Sequence, residues 1–143
     1  MGTRREEQVE VVVLDTNVLV SAAGWRGPER RVYDLCRAGC LQLVTSPALL
    51  AELERVFRYP KFQLTDTHIR ELLGDVIASA EVVDPTQRIT VVERDPDDNR
   101  VLECAVDSGA RWIVSGDPDL LELGEYEGIE IVTAAELLRR LAA

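Results

Sequence analysis

The stretch that most constrains this chain is residues 11–15, Val-Val-Val-Leu-Asp. Four consecutive apolar residues, three of them β-branched, leave no polar side chain to face water. A strand of that kind is buried on both sides, which is the situation of a parallel sheet covered by helices. A carboxylate directly at its end then needs a reason.

The rest of the chain alternates helical and strand patterns around this run. Residues 10–14 form the first strand. "PERRVYDLCRAG" (28–39) predicts a helix, with Pro28 suited to the first turn and Gly39 to the C-terminal stop. "LQLVT" (41–45) is a strand that halts at Ser46-Pro47, an N-cap with proline at the first helical position. The helix "ALLAELERVFR" follows and ends before Tyr59-Pro60, and "DTHIRELLGDVIASA" (66–80) repeats a helical apolar period. "ITVVE" (89–93) reads as a strand. Asp95-Pro96 opens a helix that runs to Ser108-Gly109. "RWIVSG" (111–116) is a strand, "PDLLEL" a short helical turn and "IEIVT" (129–133) a last strand. Thr133 and Glu136 form a capping box for the final helix. This order predicts an α/β fold, a three-layer α/β/α sandwich with a mainly parallel central sheet. Neither repeats nor a linker divide it. Residues 1–8 read as a flexible N-terminal tail without the apolar core of a signal peptide, leaving 9–143 as a single domain.

With 46% hydrophobic residues, 143 residues suffice for a core, and no apolar run approaches the roughly 20 residues of a membrane span. Cys36, Cys40 and Cys104 offer no C-x-x-C pair, and the one histidine, His68, has no cysteine at finger-like spacing. Small buried hydrophobes in a reducing cytoplasm are expected of all three. The net charge of −10 excludes nucleic-acid binding by bulk charge, but not binding where cations offset clustered carboxylates. Arg26, Arg30, Arg31, Arg55, Arg58 and Lys61 all fall in the first half. They are either a solvated surface or, being mostly arginine, a phosphate-binding face.

Ligands of open α/β sheets bind beyond the carboxyl ends of the strands. Asp15 stands at one such end and Asp117 just past another, although either alone is also a good helix cap. In "RDPDDNRVLECA" (94–105), Asp95 resembles an N-cap, and Asp97 and Asp98 suit the dipole of the first turn. At about 100° per residue, Asp98 falls near the middle of the face made by Val101, Leu102, Ala105 and Val106, whereas Asp97 lies roughly 110° away. A carboxylate centred on a buried face needs a partner, so Asp98 reads as a ligand and Asp97 as a surface residue. Asn99 is placed to orient a neighbour. Glu52 and Glu54 both flank the apolar stripe of their helix, and the wheel does not separate them.

"VVVLDTNVLVSA", "TSPALLAELERVFRYPKF" and "DPDDNRVLECAVDSGARWIVSGDPDLLEL" together resemble the PIN-domain family, in particular the VapC-like ribonuclease toxins of toxin–antitoxin pairs. The resemblance spans about residues 10–135 and implies a PIN-like domain that cleaves single-stranded RNA with divalent metal. By position it implies acids at Asp15, Glu52, Asp98 and Asp117 as both catalytic groups and metal ligands, and so selects Glu52 over Glu54. Asp119 is an outer member, and Asn17 and Ser115 fall where polar side chains hold the first and fourth acids. The basic helix ends match the family less clearly than the acids do, and Arg26, Arg30, Arg55 and Arg58 are the candidate RNA contacts there. It further implies a cognate antitoxin, a cytoplasmic location, and a homodimer, for which "THIRELLGDVI" offers an apolar stripe. Oxygen-only ligands favour Mg²⁺ or Mn²⁺.

Other classes fit less well. A haloacid-dehalogenase-type phosphatase needs a second aspartate two residues after the first, where this chain has Asn17, and a lysine near the phosphate, where Lys61 is the only lysine. A receiver domain fails on the same lysine and on the missing acidic pair. A non-catalytic PIN-like module that binds RNA or a partner protein is the remaining alternative.

Overall fold

The computed structural model describes residues 9–142. The tail expected over residues 1–8 lies outside the described residues. In chain order the elements are β1 (Val11–Leu14), α1 (Thr16–Gly24), α2 (Pro28–Arg37), β2 (Gln42–Thr45) and α3 (Pro47–Phe57), then a 3₁₀ turn (Pro60–Phe62) and α4 (Asp66–Ser79). They continue with β3 (Ala80–Val82), α5 (Asp98–Ser108), β4 (Trp112–Val114), α6 (Pro118–Leu123), β5 (Glu125–Tyr126), β6 (Ile129–Val132) and α7 (Ala134–Ala142). Six strands make one sheet in the order β3-β2-β1-β4-β6-β5, parallel except for the β5–β6 pair.

The pleat sends alternate residues of β1 to opposite faces. Val12 and Leu14 enter a core built with α1, α2, α3, α4 and α7, whose contributors include Leu19, Val32, Leu53, Ile69 and Leu137. Val13 enters the other core with Val44, Ile113 and the α5 residues Val101, Leu102 and Ala105. The uninterrupted apolar run is thus consumed on both faces, and the fold is the three-layer α/β/α sandwich expected. Strand and helix ends differ from the sequence reading by a residue or two, as ends do.

Three expectations are corrected. Residues 89–93 form no strand. Ile89 and Val92, three apart, are the buried ones, and α5 satisfies their backbone instead of a neighbouring strand. Asn99 accepts from the Val92 N–H and donates to its carbonyl, both at 2.8 Å, while Glu103 accepts from the Ile89 N–H at 2.9 Å and Arg100 donates to the Ile89 carbonyl at 3.2 Å. The edge-strand place falls to β3, at the end of the segment read as helix. Cys40 is exposed in the turn after α2, beside the left-handed Gly39. Cys36 and Cys104 are buried, and burial pushes both thiols up to about 12, so neither is a thiolate at neutral pH. The apolar stripe of α4 is spent inward. Ile69 and Val76 are buried, Leu72 and Leu73 pack on the same core, and only Ile77 stands out at 49% exposed. Helix α1 and strand β5 lie where the sequence reading placed no element.

The Asn99 clamp makes a direct prediction. Asn99→Ala leaves a buried N–H and a buried carbonyl of Val92 unpaired, and unfolding in urea should show a loss of about 2–4 kcal/mol. An unchanged midpoint would mean that the 89–93 segment is held by its apolar contacts alone.

Candidate active site

Parallel pairing lays the carboxyl ends of β2, β1 and β4 side by side, and the residues that follow them share one edge of the sheet. Leu14 lies opposite Val114 in the ladder, so Asp15 and Ser115, one residue further, become neighbours. The Asp15 N–H continues the ladder to the Val114 carbonyl at 2.9 Å. The Ser115 hydroxyl donates to Asp15 Oδ2 at 2.7 Å and accepts from the Asp117 N–H at 2.9 Å, so one hydroxyl ties the first acid to the backbone of another. Helix α5 crosses the opposite face and brings Asp98 in from its first turn. One carboxylate oxygen each of Asp15, Asp98 and Asp117 lie within 4.8 Å of one another.

The capping and ligand readings are not alternatives, because a carboxylate has two oxygens. Asp15 Oδ1 accepts from the Thr16 N–H at 2.8 Å and caps α1. Asp117 Oδ1 accepts from the Asp119 N–H at 2.8 Å and caps α6. Asp98, only 5% exposed, differs: its Oδ2 is buried and meets no donor among the described residues, an arrangement costly for a charged oxygen unless a cation completes it. Burial, then the charges of Asp117, Asp95 and Asp15, push the Asp98 carboxyl up to about 8. Burial raises Asp15 as well, with Asp117 and Asp95 adding to it against the lowering influence of its bonds to Ser115 and Thr16.

Glu52 is half-buried on α3 beside this group. Burial raises its proton affinity first, and the charges of Asp15 and Asp97 follow. The Thr16 hydroxyl lies near enough to lower it somewhat, yet its oxygen is buried and makes no bond of hydrogen-bonding geometry. Glu54 turns away to Arg58, at 3.1 Å. Asp97 is exposed and Asp98 buried, as the helical wheel indicated. Asp119 sits at the rim, 3.9 Å from Arg94. Asn17 is exposed and, among the described residues, has no side-chain hydrogen bond to an acid; Thr16 and Ser115 hold Asp15 instead. Of the four arginines proposed as RNA contacts, Arg30 is bonded to Asp34 and the Ala22 carbonyl, and Arg58 to Glu54 and Asp66. Arg55 faces Asp97 at 3.6 Å, and Arg26 is exposed. An apolar cleft of about 200 Å³, lined by Trp25, Phe57, Phe62 and His68 among others, is lined by no carboxylate.

Sequence reading gave Asp95 only a capping role. Its side chain does accept from the Asp97 N–H at 3.3 Å, but α-helical bonding starts at Asp98 after a turn of i to i−3 bonds. Asp95 is also half-buried, and its charge acts on both Asp15 and Asp98. The crowding of "DPDD" was the available signal.

These shifts fix the sign of a pH effect. Asp98, Asp15 and Glu52 bind protons more tightly folded than unfolded. Their contribution to stability is therefore complete below the ordinary carboxylate range and is lost as pH rises, for Asp98 through about 8. Without metal, melting temperature should fall between pH 5 and pH 8 more steeply for the parent chain than for Asp98→Asn. Equal slopes would show that Asp98 is ionised without strain.

Residues 11–119 match the family described as PIN domain. No curated protein sequence matches the chain. Among solved structures it is similar to PAE2754 from Pyrobaculum aerophilum, at 19% identity over 94% of this chain and 91% of the other, with a TM-score of 0.60. It is also similar to VapBC2 from Rickettsia felis, solved bound to a DNA fragment from their promoter, at 16% identity over 85% of this chain and 96% of the other, again with a TM-score of 0.60. A family match across three quarters of the length, on a fold shared with both structures, leads to one conclusion: the chain belongs to the PIN-domain family.

Proposed function

We propose that the protein is a divalent-metal-dependent endoribonuclease that hydrolyses single-stranded RNA, acting as the toxin of a cytoplasmic toxin–antitoxin pair. The observation that carries this reading is the donorless, buried Asp98 Oδ2 within a group of three aspartates. The donor set is oxygen only, which suits Mg²⁺ or Mn²⁺, with Asp15, Asp98 and Asp117 as the holding residues and Glu52 beside them. The chemistry such an ion supplies is activation of a water for in-line attack and compensation of charge on the leaving oxygen.

The chain's own groups have defined tasks in this reading. Ser115 and the Thr16 N–H fix Asp15 so that it does not swing to relieve repulsion. Glu52, outside the three-aspartate group and with a raised proton affinity, is the carboxylate suited to take or return a proton where no histidine stands. The toxin role and a cognate antitoxin are supported by family membership and by the similarity in fold to VapBC2; the homodimer rests on the sequence resemblance alone. Among the described residues no helix is long and apolar enough to cross a membrane.

Cleavage of an end-labelled single-stranded RNA should require Mg²⁺ or Mn²⁺ and stop in chelator. Asp15→Asn preserves the cap, since asparagine caps a helix as well as aspartate, yet should lower the rate by at least about 100-fold. Glu52→Gln should lower it too, whereas Glu54→Gln, whose carboxylate serves Arg58, should leave it unchanged. Cleavage by Asp15→Asn at the parent rate contradicts the reading, and metal-independent RNA binding without cleavage identifies a binding module instead.

A further inference from the structure

An acidic site on a chain of net charge −10 must still hold a polyanion. Among the described residues, two arginines pair with carboxylates that adjoin the aspartate group. Arg55 on α3 faces Asp97, next to Asp98, at 3.6 Å, and Arg94 faces Asp119, two residues past Asp117, at 3.9 Å. The other arginine pairs engage acids elsewhere, as in Arg37–Asp75, Arg58–Asp66, Arg100–Glu103 and Arg140–Glu130. Both pairs at the site are long and single, and the two arginine side chains stay 58% and 83% exposed. Exposed pairs of this kind are worth little, so exchanging the carboxylate for a phosphate is cheap.

Their placement follows from the sheet. Arg55 belongs to the helix after β2, Asp15 ends β1, and Asp119, which locates Arg94, follows β4. The order along the sheet edge is therefore Arg55, then the aspartates, then Arg94. Strands two places apart are on the order of 10 Å from one another. Resting on the ribonuclease reading above, we infer that Arg55 and Arg94 hold the backbone phosphates on either side of the one that is cleaved, and so set the path of the single strand across the acids. Arginine suits this, since its planar fork meets two phosphate oxygens at once. Beside Arg94 a groove of about 310 Å³, lined by Val91, Val92 and Leu123 as well as Glu93 and Glu122, has room for the attached nucleoside; its acidic walls keep phosphate at the rim, with the arginine.

The test separates this path from the reading beneath it. In the full chain carrying Asp15→Asn, affinity for a fluorescent single-stranded RNA is measured by anisotropy from low to high NaCl at fixed Mg²⁺. Each phosphate contact contributes about −0.7 to the slope of log affinity against log salt. Arg94→Gln and Arg55→Gln should each flatten the slope by about 0.7, and Arg94→Lys should restore it. Arg111→Gln, at the opposite edge of the sheet beside Glu10, should change nothing. With Asp15 restored, Arg94→Gln and Arg55→Gln should raise KM several-fold while kcat changes little. If the parent chain cleaves RNA but the slopes and KM of both variants match it, the path is wrong and the ribonuclease reading stands. If the parent neither binds nor cleaves RNA, both fall.

Discussion

The parallel pairing of β1 with β4 is the constraint on which the rest depends. With Leu14 opposite Val114, the first residue beyond each strand falls at the same height, and Ser115 is delivered to Asp15 without any choice left to the side chains. Both strands are buried on both faces, so a one-residue slip would drive each set of side chains into the core packed around the other set. The rigidity of the site is therefore inherited from the core. That is what lets carboxylates stand together that would separate if they were carried on loops.

The site opposes the fold electrostatically. Asp15, Asp98 and Glu52 all resist ionisation because they are removed from water and face like charges. Ser115 and backbone N–H groups satisfy Asp15 and Asp117, but among the described residues nothing satisfies Asp98 Oδ2. Elsewhere on the same helix the chain resolves a similar conflict with its own residues. Burial alone would raise Glu103, yet Arg100 and the Ile89 N–H hold its carboxyl below the usual range. The contrast within one helix supports the proposed role of Asp98 as a cation ligand.

How much of this was legible depended on how local the physics is. The central strand, the alternation of elements and the buried position of Asp98 follow from periodicity, which neighbours in sequence define. The tie between Glu52 and Glu54 did not yield to the wheel, because both flank the stripe; the half-buried acid beside Asp15 and the one turned toward Arg58 are distinguished only by what other helices bring near. "ITVVE" reads as a strand because its composition is that of one, but its partners are side chains of α5 that lie 7 to 14 residues further on, and no local pattern announces them. Asn17 was assigned by position in the motif, yet the turn into α1 points it outward. Asp95 was hidden by chemistry, since a cap and a site carboxylate are the same residue type.

The central claim is that the aspartates form a cation site whose repulsion a divalent ion relieves. Its most direct measurement is the melting temperature at pH 8 as Mn²⁺ is raised from chelated to millimolar, for the parent chain and for Asp98→Asn. Binding to the folded state alone predicts a rise for the parent that continues with concentration, reaching about 2.7 kcal/mol of added stability at a hundred times the dissociation constant. The variant should start higher in chelator and respond weakly. A parent chain whose melting temperature is the same with and without Mn²⁺, and the same as that of Asp98→Asn, would contradict the account.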